Sequence, residues 1–231
     1  MIALINVSIS ENIVNTIPDF KIGIVCYYDI VVDRSPQMLR GRLALFQENL
    51  KVEFESASPS SDPSIKEWRS IVKKLGIDPS KYRHSAEALL RRVKKGDSIA
   101  SINSAVDLNN FFSLQYRIPF GIYDLDRIHE PVVIRVGRAE DQYEALNGRQ
   151  MNMENKLLSS DQKGAFGSPF VDSMRTMVTE QTKQALQLIY LRPSMDAIEA
   201  VKLIDAVADM FVQLHGGRAE VQLIHSANAA P

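Results

Sequence analysis

The 231 residues predict an α+β fold, on three observations. Apolar residues recur at helical spacing from 62 to 117. Short β-rich runs broken by turn residues fill most of 118–191. A last long helix and a terminal strand close the chain. Helices on both sides of a β-rich middle argue against a regular βαβ winding.

Taken in order, residues 22–32, IGIVCYYDIVV, read as a strand buried on both faces. Cys26 is then a small buried strand residue rather than a reactive thiol. Ser35-Pro36 starts a helix with Leu39, Leu43, Phe46 and Leu50 on one face, and Val52–Glu55 reads as a short strand. The run 56–63, SASPSSDP, is expected as an exposed loop. Asp62-Pro63 opens a helix through Ile65, Trp68, Ile71, Val72 and Leu75, ended by Gly76. Ser85 is expected to cap the next helix, which buries Ala86, Leu89, Leu90 and Val93 and stops at Gly96. A third helix is expected over Ser98–Tyr116. Strands follow at Val132–Val136, before the turn Leu146–Arg149, at Leu157-Leu158 and at Ala185–Leu191. Pro193-Ser194 opens the last helix, with Ile198, Val201, Ile204, Ala208, Phe211 and Val212 inward and Gly216-Gly217 as its stop. Ala219–His225 is a terminal strand and 227–231 a loose tail.

Composition bounds the function. Lys and Arg number 27 against 28 Asp and Glu, which excludes a uniformly basic nucleic-acid coat. One cysteine and four scattered histidines exclude a disulfide framework within the chain and a Cys-rich zinc module. No uncharged window of membrane-spanning length exists, and the start lacks a basic n-region, so a cytoplasmic protein is expected.

Charge is nonetheless uneven. Lys66–Lys95 carries ten Lys and Arg against three acids, a local excess of about +7 that suits a polyanion, or simply a solvated helix end. Asn109 falls on the apolar face of the third helix, where an amide either ties down a loop or lines a pocket. Asn110 and Ser113 follow it. The densest polar run, 161–182, holds Asp172, Ser173, Arg175, Thr176, Thr179 and Thr182 after Gly164 and Gly167. Arg175 could take a carboxylate or phosphate, or the run could be a solvated loop. Asp124-x-Asp126 reads as a turn cap and His215 as a partner of the helix dipole. No G-x-G-x-x-G and no Walker A motif is present.

Three long motifs in order carry a family resemblance. VDLNNFFSL at 106–114 precedes IPFGIYDLDRI at 118–128, close to the pattern V-D-x-T-N-Y-x-M-L then Q-P-L-H-A-F-D. Lys73–Val93 and Asp172–Thr182 match K-x-x-G-x-x-P-x-K-Y-R-x-S-x-E-x-L-x-R-R-V and D-S-x-R-T-x-x-T-x-x-T. The chain resembles the B3/B4 editing domain of the phenylalanyl-tRNA synthetase β subunit, and more closely the stand-alone B3/B4 proteins of bacteria. The resemblance spans 65–215 best, so 1–231 is expected as one B3/B4-like unit with a mixed β-sandwich core and flanking helices. In the synthetase this domain hydrolyses tyrosine mischarged on phenylalanine tRNA. Of the family's site residues, Thr is replaced by Asn109, His by Gly121, and Glu aligns with Gln187.

The resemblance implies binding of an aminoacyl-tRNA end or amino acid, with trans deacylation of mischarged tRNA as the activity to test. Asn109, Asn110, Asp172, Ser173, Arg175 and Thr179 would line the pocket. Lys73, Lys74, Arg91, Arg92, Lys94 and Lys95 would meet the tRNA backbone. The alternatives are an amino-acid-binding module that does not bind RNA, and an unrelated hydrolase using Ser173 or Asp172. No cofactor, metal, membrane or DNA is expected.

Overall fold

The computed structural model describes residues 5–225. Two four-stranded sheets face each other. The first runs β1 (Val7–Ile9), β4 (Val132–Val136), β7 (Leu157–Asp161), β8 (Gly164–Gly167), with only β1 and β4 parallel. The second is antiparallel: β10 (Arg218–His225), β2 (Lys21–Tyr28), β9 (Ala185–Tyr190), β3 (Phe120–Asp124). β5 (Gln142–Glu144) and β6 (Gln150–Asn152) form a separate hairpin.

β2 is buried on both faces because each face has its own cover. Strand alternation turns Tyr27 to one side, where it stacks on Phe211 at 3.9 Å between ring centroids. That side is covered by α5 (Ser104–Tyr116) and α6 (Ala197–His215). The approach is close: a Cβ at Gly23 would collide with the Ile204 side chain. From β9 and β3, Tyr190 and Tyr123 point the other way, into the space between the sheets, and meet Ser159 and Phe166 there.

Four further helices complete the chain: α1 (Glu11–Thr16), α2 (Gln37–Glu53), α3 (Pro63–Lys74) and α4 (Ser85–Lys95). α3 has Pro63 in its first turn and Asp62 as cap, accepting from the N–H of Ser64 at 2.9 Å and of Ile65 at 3.2 Å. Leu50, Phe54, Leu90, Val93 and Leu114 knit α2, α4 and α5 into a second small core. Among the described residues no helix is long and apolar enough to cross a membrane.

Several sequence expectations need correction. Val52–Glu55 is no strand: α2 continues to Glu53, because Leu50 and Phe54 pack against α4. The 56–63 loop contains a 3-10 turn at Pro59–Ser61, with Pro59 and Asp62 buried. His84, not Ser85, caps α4, its Nδ1 receiving the Glu87 N–H at 3.4 Å. α5 begins at Ser104 because Asn103 caps it, accepting from Val106 N–H at 2.9 Å. α6 begins at Ala197 after Asp196, so Ile198 and Val201 fall on the exposed side while Ala200, Leu203 and Val207 point inward. His215 carries no charge for the helix dipole: burial lowers its pKa, and its ring sits between the Phe211 carbonyl and Ser104 Oγ. Cys26 is buried, and burial pushes its thiol up to about 11. The expected tail at 227–231 lies outside the described residues.

Candidate functional site

The space between the sheets ends in a polar cluster. Tyr123 donates to Asp172 Oδ1 at 2.7 Å, and the N–H of Ser168 approaches the same oxygen at 3.5 Å. Tyr190 bonds Ser159 Oγ at 2.9 Å and also the Tyr123 hydroxyl, so hydroxyls run from β7 to the carboxyl. Beside them Tyr143 donates to the Val171 carbonyl at 2.6 Å. Two glycines make room for the Tyr123 ring. A Cβ at Gly121 on its own strand, or at Gly167 on β8, would fall within van der Waals contact of the phenol.

Burial dominates the electrostatics. It raises the Asp172 carboxyl to about 7, against the lowering effect of the Tyr123 and Ser168 hydrogen bonds. The same cause pushes the Tyr123 and Tyr190 phenols well above their ordinary range. Burial thus favours the protonated form of all three groups. Perturbed groups of this kind mark candidate sites for acid–base chemistry.

The amino end of α4 borders the cluster, since the Ser85 N–H donates to the Pro169 carbonyl at 2.7 Å. Trp68 of α3 lies 6.1 Å from the His84 ring and 6.0 Å from Tyr190, centroid to centroid. Three buried polar atoms here lack a partner among the described residues: Trp68 Nε1, His84 Nε2 and Ser85 Oγ. Because His84 Nδ1 accepts from Glu87, the neutral ring carries its proton on Nε2. Burial and the Arg69 charge depress the His84 pKa to about 3, so the ring stays neutral. The result is a group of unpartnered polar atoms at the amino end of α4 and on α3, on the Tyr190 side of the cluster. An unmet buried donor costs about 1–3 kcal/mol, so such a group suits a bound acceptor.

The residues singled out in the sequence do not converge on one cavity. Asn109 is engaged in the core: its Nδ2 donates to the Phe120 carbonyl at 3.3 Å, and its Oδ1 accepts from Gln187 at 2.8 Å. Gln187 in turn accepts from Tyr27 at 2.8 Å. Asn110 faces the other way, into a cavity between α2 and α5. Arg175 holds Asp161 bidentately at 2.9 and 3.0 Å and also donates to the carbonyls of Arg127 and Gly164. Burial opposes the Asp161 charge, but Arg175 and the N–H groups of His129 and Lys163 outweigh it and hold its pKa low. Ser173 is buried and receives the Arg175 N–H at 3.0 Å, and Thr179 Oγ1 receives that of Gln181 at 3.3 Å. Asp124 caps its turn through the Asp126 N–H at 3.1 Å. Of the six pocket candidates, Asp172 alone lies in the polar cluster.

The basic run also divides. Arg91 and Arg69 both pair with Glu87, whose side chain is fully buried. Lys94 donates to the Ala57 carbonyl at 2.9 Å, holding the last turn of α4 to the segment that leads into α3. Lys73, Lys74, Arg92 and Lys95 are exposed, the first two at the far end of α3 and the others in the last turn of α4. Tyr123, Tyr190, Trp68 and His84 were not recognisable as site residues. The available signal was the pair Gly121 and Gly167, small residues in two buried strands.

Comparison with known proteins identifies the family. A family model described as the B3/4 domain matches residues 67–198. An uncharacterized protein of Bacillus subtilis, YhzB, is 35% identical over 213 residues, 92% of this chain and 96% of that protein. The phenylalanine–tRNA ligase β subunit of Xanthomonas axonopodis is 26% identical over 122 residues, and that of Bartonella quintana 29% over 122. These matches cover 52% of this chain but only 15% and 14% of the ligase subunits. Among solved structures, an N-terminal fragment of the Pyrococcus horikoshii phenylalanyl-tRNA synthetase β subunit overlays 94% of this chain and 50% of its own. That overlay has a TM-score of 0.46 and 13% identity.

Proposed function

We propose, from the premise that this chain belongs to the B3/4 domain family, that it binds the aminoacyl end of a transfer RNA between its sheets and hydrolyses the ester. The observation that carries this reading is Asp172, held by the Tyr123 hydroxyl at 2.7 Å, with its carboxyl pushed up to about 7 by burial. The Tyr123 ring fills the room beside Gly121, where the family's His is absent, while Gln187 faces the opposite side of the sheet. The ionised Asp172 takes a proton from water as the water oxygen adds to the ester carbonyl. The carbon–oxygen bond to the ribose breaks, and the leaving oxygen receives that proton as a hydroxyl. Tyr123 orients the carboxyl through its 2.7 Å bond. Trp68 and His84 supply N–H donors for the carbonyl oxygen as its charge grows. Arg92 and Lys95, with Lys73 and Lys74, meet the RNA backbone in the cytoplasm.

Deacylation of mischarged tRNAs tests the reading. Asp172→Asn is expected to slow hydrolysis about 100-fold or more, with a bell or rising limb near pH 7 lost from the profile. Unchanged hydrolysis by Asp172→Asn would overturn the role of Asp172. Absence of turnover on any mischarged species in the unmutated protein would overturn hydrolysis itself.

A second reading, an amino-acid-binding module without RNA, is favoured by the division of the basic run. Arg91 and Lys94 are engaged internally and do not bridge its two exposed halves. Tight binding of a free amino acid with tRNA affinity that is flat in salt would select this reading.

A further inference from the structure

A cavity of about 250 Å³ opens between α2 and α5 at the carboxyl end of α4. The motif VDLNN serves both sides of α5: Asn109 bonds into the sheet, while Asn110 faces this cavity. One wall is aromatic, Phe46 against Phe111 at 5.1 Å between centroids. Asn110 makes no side-chain hydrogen bond among the described residues, and Arg40 and Lys51 at the mouth make no ion pair there. Glu48, Asp97 and Asp107 also line the cavity, and Asp107 is already engaged by Ser35, Ser101 and the Ile102 N–H.

We propose that this cavity binds an adenylate, with the base on the Phe46–Phe111 wall and the phosphate on Arg40 and Lys51. Base–aromatic stacking is sequence-tolerant, so Asn110 supplies the selection. A free carboxamide offers a donor and an acceptor side by side, which match N7 and the N6 amino group of adenine. Arg40 and Lys51 supply the charge-assisted bonds a phosphate needs. The volume suits one base and its sugar, leaving the phosphate at the mouth. The cavity lies at the carboxyl end of α4 and Pro169 at its amino end, with eleven residues, about 16 Å of helix, between, so the adenosine held here is not the one whose ester meets Asp172. The inference therefore stands apart from the hydrolytic reading. The adenylate comes either from the free nucleotide or from an adenosine within an RNA strand.

Titration of the full chain by amide NMR tests this with AMP, UMP, inorganic phosphate, phenylalanine and a single-stranded oligoadenylate as probes. AMP is expected to shift the amides of Asn110 and Phe111, with Asn110→Ala weakening it at least tenfold at unchanged Tm. Lys51→Glu, at an exposed position, is expected to weaken AMP and oligoadenylate alike. Tighter binding of oligoadenylate than of AMP, with the same dependence on Asn110, supports the proposal and assigns the RNA source. Tighter AMP supports it and assigns the free nucleotide. Equal shifts from UMP, phosphate or phenylalanine, or AMP affinity indifferent to both substitutions, would overturn it. Deacylation by the Asp172 variant bears on neither result, so the two proposals fail separately.

Discussion

Asp172 and His84 push stability in opposite directions with pH. The Asp172 carboxyl is raised in the fold, so its penalty is absent at pH 4 and grows as pH climbs toward 7. The His84 pKa is depressed to about 3, so its contribution is full above pH 6.5 and is lost as pH falls toward 3. Asp172→Asn keeps an acceptor for Tyr123 while removing the charge. It is expected to raise Tm at pH 8 and leave it unchanged at pH 4, measured by thermal melts across that range. A uniform Tm change at every pH would show the effect to be packing rather than ionisation. Asn109→Ala leaves the Gln187 amide without its acceptor in the core and is expected to cost about 2 kcal/mol in denaturant unfolding. The sequence left the role of Asn109 open because its partners lie 11 and 78 residues away.

At the scale of elements, α4 joins the two proposed sites and its own anchoring decides how it presents charge. Glu87 is buried in its first turn and holds both Arg69 and Arg91. Glu87→Ala would leave two part-exposed guanidinium groups without their carboxylate, for a loss of about 1–3 kcal/mol in denaturant unfolding. Arg92→Glu with Lys95→Glu reverses two exposed charges that hold nothing in place. That double variant is expected to flatten the dependence of tRNA affinity on salt, measured between 50 and 200 mM, the range over which phosphate contacts weaken steeply. Much at this scale was legible: strands β2, β4, β7 and β9 and helices α2, α3 and α4 follow from their own apolar spacing. What failed were ends and phases. Asn103 and Asp196 start helices several residues after the first plausible signal, and the later start rotates Ile198 and Val201 into solvent. The short strands β1, β3 and β8 were missed because three to five residues carry too little periodicity.

Over the whole molecule, the site depends on a layered arrangement that no single segment encodes. Helices α5 and α6 cover one face of the second sheet, and the first sheet covers the other. Tyr123, Asp172, Tyr190 and His84 come from three strands or loops and one helix start, which explains why the cluster could not be read along the chain. The Tyr123 ring occupies the volume that a side chain at Gly121 would need. Gly121→Ala alone is expected to cost about 1–3 kcal/mol, and clearly less when combined with Tyr123→Ala. A double-mutant cycle in denaturant, showing strict additivity, would argue against this coupling. In evolutionary terms, positions 121 and 123 form a single two-state choice. A side chain at position 121 would need the room the Tyr123 ring fills, so that ring would have to turn away from Asp172. A bare backbone at the first position and an inward phenol at the second are therefore one feature, and changing either is expected to require changing the other.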